Sequence, residues 1–168
     1  YHAAQEAGVM TYTGLNYRWV PVVQYAKQLI EDGHLGEITN YYGRFFAMYA
    51  SDPLGQLSWR FLKESAGTGA LGDLMPHVAD MAYFLAGPLK RIFSSKETTV
   101  KERPLPVPGR GTHFSRGLPD DPKGEVTNED YVCSLVEFEN GARGTLEISR
   151  AMFGPKVEYR FEIYGTKG

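Results

Sequence analysis

The strongest local constraint on the fold is the Asn140-Gly141 pair, which lies between two runs of alternating apolar and polar residues. An Asn-Gly pair tolerates the left-handed backbone of a tight turn, so it typically joins two antiparallel strands. The flanking runs are EDYVCSLVEF (129–138) and ARGTLEISR (142–150), and a third alternating run, KVEYRFEIYG (156–165), follows them. Because alternate side chains of a strand point to opposite faces, these three runs predict an antiparallel sheet.

Upstream of this hairpin the pattern alternates between helix and strand. Residues 18–36 carry apolar side chains at helical spacing, with Pro21 in the first turn and Gly33 at the end, which predicts an amphipathic helix. Residues 37–50 form an aromatic and β-branched strand that is apolar on both faces, so it needs a cover of helices on one face and another subunit on the other. The remaining predicted elements are a short strand at 9–15, a helix at about 74–85, a strand at 89–101 and an excursion at 102–127. This order predicts an α+β fold, with an open, mostly antiparallel sheet covered on one face by helices.

Charge and cysteine content narrow the kinds of partner. The 168 residues carry a formal net charge of −2, which argues against nucleic acid or an anionic membrane as the main partner. No apolar run approaches the length of a membrane span. Cys133 is the only cysteine, which excludes an internal disulfide and suits the reducing cytoplasm.

The length of 168 residues is that of one domain that can bury a hydrophobic core. Both ends of the sequence have the pattern of interrupted elements, so residues 1–168 are expected to be a single domain of a longer protein.

Residues 67–72, GTGALG, match the G-x-G-x-x-G pattern of a dinucleotide-binding loop. That loop requires a buried strand directly before it, and WRFLKESA (59–66) is not one. It also requires a helix N-terminus that can take a pyrophosphate, where Asp73 would repel the anion. The match is therefore interpreted as spurious, and the glycines as positions where the backbone passes close to a bulky neighbour.

The apolar segment after this loop carries Asp73, His77 and Asp80 at helical spacing. Their structural interpretation is an N-cap at Asp73, a hydrogen-bonded core histidine at His77 and a helix-surface carboxylate at Asp80. Their chemical interpretation is proton transfer by His77, which Asp73 orients while Asp80 accepts from the other ring N–H. A metal ion shared by Asp73 and His77 is a third interpretation, although no third strong ligand is evident. Spacing alone leaves all three open.

Two pairs of aromatic and polar residues flank these elements. Trp59-Arg60 precedes the glycine loop and is either a Trp packed at the sheet edge under a stacked Arg, or a planar donor for an anionic or amide-bearing ligand. Asn16 and Tyr17 follow a predicted strand end, where ligands often bind, and a helix cap at Asn16 is the alternative. Neither pair is specific alone.

Taken together, these motifs resemble the Gfo/Idh/MocA family of NAD(P)-dependent sugar and polyol oxidoreductases. The resemblance covers nearly the whole chain, and its most specific part runs from Trp59-Arg60 through the glycine loop to Asp80. It implies the C-terminal α+β domain of such an enzyme, whose sheet face builds homo-oligomers. The N-terminal Rossmann domain, with its nucleotide fingerprint and catalytic lysine, would precede Tyr1 and is absent from this chain.

The resemblance also implies roles for individual residues. His77 would exchange the proton of the substrate hydroxyl, and Asp73 would hydrogen-bond and orient the substrate. Asn16 and Tyr17 would contact the substrate, and Trp59 and Arg60 would reach the cofactor. The cofactor would be NAD or NADP in the intact enzyme, with none bound tightly by this chain alone, and no metal is implied.

The implied substrate is a sugar, polyol or inositol, and the excursion at 102–127 is similar to that of members acting on inositols and anhydro-sugars such as levoglucosan. Two other functions stay open. One is a non-catalytic sugar-binding or oligomerisation module that keeps the fold, and the other is a metal-dependent lyase or hydrolase at Asp73, His77 and Asp80.

Overall fold

A five-stranded sheet with helices on one face organises the chain in the computed structural model, which describes residues 1–109, 115–154 and 156–168. The strands, in chain order, are β1 (Ile38–Ala47), β2 (Leu89–Glu97), β3 (Glu102–Pro104), β4 (Lys123–Glu125), β5 (Tyr131–Phe138), β6 (Arg143–Ser149) and β7 (Val157–Gly165). The main sheet has the order β2-β5-β6-β1-β7, and β3 pairs with β4 apart from it.

Five α-helices and two short 3₁₀ helices complete the described elements. The α-helices are α1 (His2–Glu6), α2 (Pro21–Glu31), α3 (Lys63–Ala66), α4 (Ala70–Asp73) and α5 (Met75–Ala86), and the 3₁₀ helices are Tyr17–Trp19 and Trp59–Phe61. Within the described ranges, no helix has the length and apolar character that crossing a bilayer requires.

Pairing in the main sheet is antiparallel except between β1 and β6, which are parallel. The α+β prediction with a mostly antiparallel sheet is therefore confirmed. The three C-terminal runs are not three consecutive antiparallel neighbours, because β7 pairs with β1 and β1 lies between it and β6. Asn140-Gly141 joins β5 to β6, as the sequence predicts. The amide of Gly141 donates to the carbonyl of Phe138, and Gly141 has a φ of 92°, so it occupies the left-handed position that closes the hairpin.

Helix α5 covers the sheet and forms the main core. It buries Val78, Met81 and Leu85 against Tyr41 of β1 and Phe138 of β5, together with other sheet residues. Each large apolar side chain removed from water contributes roughly 2 kcal/mol to folding. The same packing fixes where the first turn of α5 lies over β1.

Some boundaries differ from those predicted. The strand expected at 9–15 is wrong, because residues 9–16 have no regular secondary structure and pair with no strand in the described ranges. The strand expected at 89–101 ends at Glu97, and the helix expected at about 74–85 is preceded by the separate turn α4. The excursion at 102–127 contains the β3–β4 hairpin, and its residues 110–114 lie outside the described ranges.

The second face of the sheet is open in this chain. Tyr42 of β1, Phe93 of β2 and Leu135 of β5 lie on it and are 41%, 73% and 60% exposed. The prediction that β1 is apolar on both faces agrees with this arrangement, although only the face under α5 is covered here.

Candidate functional site

A cavity of about 170 Å³ lies beside the end of β1, between the Trp59–Phe61 turn and the glycine loop. It is lined by Tyr49, Trp59, Arg60, Ala66, Thr68, Gly69, Gly72, Asp73 and Arg150. Three of the six residues predicted from the sequence, Trp59, Arg60 and Asp73, therefore meet at one cavity. Asn16, Tyr17 and His77 are not among its lining residues.

Asp73 is held from two sides and still reaches solvent. The hydroxyl of Tyr49 donates to its Oδ2 at 2.7 Å, and Nη1 of Arg60 lies 4.0 Å from the same oxygen. The Asp73 side chain is 44% exposed. Burial, and then the hydrogen bond to Asp73, raise the pKa of Tyr49, so this phenol remains a donor at neutral pH. The arrangement presents a carboxylate, a hydroxyl and a guanidinium to one small volume.

Two predictions about Asp73 are wrong. Asp73 is the last residue of α4 rather than the N-cap of α5, because Leu74 interrupts the helix and takes the N-cap position. No hydrogen bond joins Asp73 to His77 among the described residues, so Asp73 does not orient the imidazole. Residues four apart lie on the same face only if they belong to one continuous helix. The helix is interrupted at Leu74, so Asp73 and His77 do not share a face.

Aromatic rings, rather than a carboxylate, set the position of His77. Its ring meets the edge of Tyr17 with centroids 5.2 Å apart, and Phe45 lies 6.1 Å away. The hydroxyl of Tyr159 donates to the backbone carbonyl of His77 at 2.8 Å. Nδ1 is buried without a hydrogen-bond partner in the described part of the chain, which leaves Nε2 as the nitrogen that solvent can reach. His77 can therefore exchange a proton through one atom only.

Asp80 does not accept a hydrogen bond from His77, contrary to the prediction. It pairs instead with Arg18, whose Nε lies 3.1 Å from Oδ2 and whose Nη2 bonds Oδ1. Asp80 is nearly buried, and its hydrogen bond raises the pKa of Arg18. Since Arg18 follows Tyr17 in the same 3₁₀ helix, this pair ties the Tyr17 segment to α5.

Asn16 and Tyr17 take different positions. Tyr17 is half-buried against Phe45, His77 and Tyr159, so the structure brings it to His77 as part of an aromatic cluster. Asn16 is exposed at the start of the 3₁₀ helix, and its side chain makes no capping hydrogen bond. The predicted substrate contact of Asn16 remains a prediction.

Trp59 and Arg60 form a stacked pair at the mouth of the cavity. The guanidinium carbon of Arg60 lies 4.7 Å from the centre of the Trp59 ring. Trp59 is 51% exposed, which is unusual for so large an apolar ring. The sequence offered two interpretations, an Arg stacked on the Trp ring and a planar donor for a ligand. The pair is compatible with both, because the stacked Arg60 leaves the other side of the Trp59 ring open to a ligand.

The glycine loop uses its own amides to bind Glu129. Gly69 N and Leu71 N donate to Oε1 of Glu129 at 2.7 and 3.1 Å, and Ala70 N donates to the Glu129 carbonyl at 2.9 Å. A β-carbon at Gly69 would lie 2.0 Å from that carbonyl oxygen. These contacts agree with the interpretation of the G-x-G-x-x-G match as spurious and of Gly69 as a close-approach glycine.

Sequence reasoning missed Tyr49, Glu129 and Arg150. Tyr49 lies two residues after the last residue of β1, and a phenol close to a strand end was the available signal. Glu129 belongs to the three polar residues Asn128–Asp130 that precede β5, and Arg150 directly follows β6. Nothing in their spacing indicates burial, because their partners lie far away in the sequence.

The metal interpretation lacks a ligand set within the described ranges, where no group of three or more His, Cys, Asp and Glu side chains could hold an ion. Asp73 bonds Tyr49 and Asp80 bonds Arg18, so the acids and His77 do not converge.

The family follows from comparison with known proteins. The model of the GFO/IDH/MocA C-terminal domain matches residues 23–168. The chain belongs to this family. The resemblance stated from the sequence is therefore confirmed.

Relatives of this GFO/IDH/MocA domain include dehydrogenases that bind sugars. Levoglucosan dehydrogenase of Pseudarthrobacter phenanthrenivorans is 38% identical over 168 residues, which cover 100% of this chain and 43% of that protein. Levoglucosan dehydrogenase in complex with NADH and L-sorbose superposes with a TM-score of 0.86 at 38% identity, over 99% of this chain and 41% of that one. Its complex with NADH and levoglucosan has a TM-score of 0.83 at 36% identity, over 99% and 41%. The chain thus spans about two-fifths of the length of these relatives.

Proposed function

We propose that this chain is the substrate-side domain of an NAD(P)-dependent oxidoreductase that oxidises a hydroxyl of a sugar or related polyol. The observation that carries the proposal is the meeting of Asp73, Tyr49 and Arg60 with the half-exposed Trp59 ring at one cavity. Carbohydrates present hydroxyls around their edge and C–H groups on their faces, so they bind where hydrogen-bonding groups surround an aromatic plane.

Each lining group has a distinct part in binding. The Asp73 carboxylate accepts from sugar hydroxyls, and Tyr49 holds it in one orientation. The Arg60 guanidinium donates to ring or hydroxyl oxygens, while Trp59 lies beneath it. Together they fix one face of the substrate and its depth in the cavity.

His77 lies in the first turn of α5 and does not line the cavity, so the proposed substrate extends from Asp73 towards α5, where His77 supplies the proton step. Oxidation of a hydroxyl to a carbonyl releases a proton from oxygen together with a hydride from carbon, and an imidazole suits that proton at neutral pH. Nε2 is the nitrogen available for this transfer, since Nδ1 is buried. The packing of Tyr17 and Phe45 keeps the ring from rotating away.

The residues present fit only the edge of a nicotinamide cofactor. Arg60 stacks on one side of the Trp59 ring, and the other side offers a plane for the nicotinamide edge, whereas the amides of the glycine loop already bind Glu129. The pyrophosphate would therefore be held by residues outside this loop. When bound, the nicotinamide accepts the hydride.

The proposed substrate class is that of anhydro-sugars and hexoses. It rests on the relatives whose structures hold levoglucosan or L-sorbose, at 36% and 38% identity to this chain. Inositols are the neighbouring class that the same hydrogen-bonding groups would accept.

The test is a rate measurement on the intact protein with NAD and NADP against levoglucosan, hexoses and inositols. His77→Ala is expected to lower kcat by about 10²- to 10⁴-fold. The matched control is His34→Ala, which removes an exposed imidazole that follows α2. A kcat of His77→Ala within a few-fold of wild type would refute the proton role. Sugar binding without oxidation in the wild type would favour the non-catalytic module.

We further propose that a second copy of the chain covers the open sheet face. Phe93, Leu135, Thr145 and Tyr42 follow one another across four strands of that face by their pairing register. Exposed apolar side chains in such a row are typical of subunit interfaces. Phe93→Glu is expected to lower the oligomeric state in analytical ultracentrifugation. Ile92→Glu is the control, since Ile92 is similarly exposed on the other face of the same strand. Equal behaviour of the two variants would refute the interface.

A further inference from the structure

Three consecutive polar residues before β5, Asn128, Glu129 and Asp130, are buried beside the cavity. They are 3%, 4% and 0% exposed. Buried charges and amides are costly unless their hydrogen bonds are satisfied, so the partners of these residues indicate what the segment does.

Glu129 shapes the wall that carries Asp73. Its Oε1 accepts hydrogen bonds from Gly69 N and Leu71 N, and its backbone carbonyl accepts one from Ala70 N. Asp73 is the last residue of α4, the helix that starts at Ala70. In a dinucleotide-binding loop these backbone amides would bind a phosphate, whereas here they bind the Glu129 carboxylate. The same hydrogen bonds fix the position of the first turn of α4, the helix that ends at Asp73.

Asn128 shapes the opposite wall, which carries Trp59 and Arg60. Its Nδ2 donates to the backbone carbonyl of Arg60 at 2.9 Å, and Nη1 of Arg150 donates to the same oxygen at 2.9 Å. Asn128 Oδ1 in turn accepts from Nη2 of Arg150 at 2.7 Å. Because Asn128 and Arg150 both donate to the Arg60 carbonyl, the backbone at Arg60 is fixed, and with it the starting point of the Arg60 side chain.

Asp130 holds in place the guanidinium of Arg150, which bonds both Asn128 and the Arg60 carbonyl. Its Oδ1 accepts from Nε of Arg150 at 2.7 Å, and its Oδ2 accepts from the amides of Thr99 and Val100 at 2.9 and 3.1 Å. Arg150 is 1% exposed, and its guanidinium lies 4.6 Å from the centre of the Phe61 ring. The cation is therefore held in one position between the two walls.

We propose that Asn128 and Glu129, with Arg150 held by Asp130, form a positioning element that sets the distance between the two walls of the sugar cavity. Asn128 and Glu129 touch neither substrate nor cofactor, and they act through Arg60 and Asp73. The proposal rests on the proposed function for its kinetic consequences. A purely stabilising role would be served at least as well by apolar packing, because buried ion pairs add little net stability.

The kinetic test uses the intact protein with the sugar that it oxidises. Glu129→Ala is expected to lower kcat by about 10²-fold, with a smaller change in KM, because misplaced groups affect the transition state most. Glu129→Gln keeps an acceptor oxygen and is expected to recover most of that loss. Asn128→Asp keeps the acceptor for Arg150 but loses the donor to Arg60, so it is expected to lower kcat as Asn128→Ala does.

A second readout needs no activity. Amide hydrogen exchange of residues 59–73, followed by mass spectrometry, is expected to speed up in Glu129→Ala and Asn128→Asp and to recover in Glu129→Gln. This measurement decides the inference even if the intact protein oxidises no sugar, an outcome that would count against the proposed function alone.

Val136→Ala is the matched control. Val136 is a buried residue of β5 in the main core, so its loss destabilises the fold without touching either wall. It is expected to lower the melting temperature and to leave kcat and the exchange of 59–73 unchanged below that temperature. The inference is overturned if Glu129→Ala and Asn128→Asp keep wild-type exchange in 59–73. It is also overturned if Val136→Ala changes kcat and exchange as much as they do.

Discussion

The hydroxyl of Tyr49 donates a 2.7 Å hydrogen bond to Oδ2 of Asp73, and both residues line the cavity. The two residues lie on different elements, since Tyr49 follows β1 and Asp73 ends α4. Because Asp73 is still partly exposed, the bond orients the carboxylate without removing it from a ligand. This relationship makes Tyr49 the residue that sets how Asp73 meets a sugar hydroxyl.

Tyr49→Phe tests this orientation. The variant keeps the ring and removes the donor, and a hydrogen bond to a partly exposed carboxylate is worth about 1.5 kcal/mol, so kcat/KM is expected to fall about 10-fold. Steady-state kinetics on the intact protein measures the change. Tyr25→Phe is the control, because Tyr25 is an exposed tyrosine on α2. An unchanged kcat/KM in Tyr49→Phe would contradict the role.

Gly69→Ala is expected to displace the glycine loop. The added β-carbon would lie 2.0 Å from the Glu129 carbonyl oxygen, so either the loop or the 128–130 segment must move. Overpacking of this kind costs about 1–3 kcal/mol in the free energy of unfolding, measured by chemical denaturation. Gly14→Ala is the control, since no atom lies within 4 Å of the corresponding position and Gly14 does not have a positive φ. Equal stability of the two variants would show that the loop tolerates the methyl group.

The Arg18–Asp80 pair is expected to respond asymmetrically to substitution. Asp80 is 9% exposed and Arg18 is 31% exposed, so removing the arginine leaves a nearly buried carboxylate without its cation. Arg18→Met is expected to cost about 2–3 kcal/mol and Asp80→Asn about 1 kcal/mol in the free energy of unfolding. Lys27→Met breaks the exposed Lys27–Glu31 pair and is expected to cost less than about 0.5 kcal/mol. Equal costs for Arg18→Met and Asp80→Asn would contradict this assignment.

Tyr41→Phe is expected to leave the protein as stable as wild type, or up to about 1 kcal/mol more stable, at neutral pH. The Tyr41 hydroxyl is fully buried and has no hydrogen-bond partner among the described residues, so its removal ends a desolvation cost. Tyr131→Phe is the contrasting variant, because the Tyr131 hydroxyl donates to Glu147 at 2.6 Å. The free energy of unfolding of Tyr131→Phe is expected to be about 1 kcal/mol lower than that of the wild type. Loss of stability in Tyr41→Phe would indicate a partner for its hydroxyl.

The same substitution changes the alkaline limit of stability. Burial, and then the neighbouring Tyr159, raise the pKa of Tyr41, so the folded protein keeps a proton that the unfolded chain releases above about pH 10. Ionisation of Tyr41 therefore does not affect the free energy of unfolding below about pH 10, and it lowers that free energy by about 1.4 kcal/mol per pH unit above it. Denaturation curves between about pH 9 and 11.5 are expected to fall less steeply for Tyr41→Phe. If the free energy of unfolding fell equally steeply with pH in Tyr41→Phe and the wild type, the raised pKa of Tyr41 would be refuted.

Local sequence patterns determined the elements and the family. Period-two alternation in β5, β6 and β7, the Asn140-Gly141 turn and the helical spacing of α2 depend on neighbours within a few residues. The run from Trp59 to Asp80 was specific enough for the family, and the model matching 23–168 confirms it. The strand expected at 9–15 failed because strand propensity requires a pairing partner, and none of the described strands pairs with this segment.

Tertiary structure alone decided how the polar residues pair. Asp73 meets Tyr49 rather than His77, and Asp80 meets Arg18, 62 residues away in the sequence. Glu129 reaches the glycine loop from 58 and 60 residues away. Periodicity assigns a side chain to a face of its own element, whereas a hydrogen bond depends on where separate elements lie after packing. The sequence therefore determined which residues could form the site, and the packing of α5 and the loops against the sheet decided which of them meet.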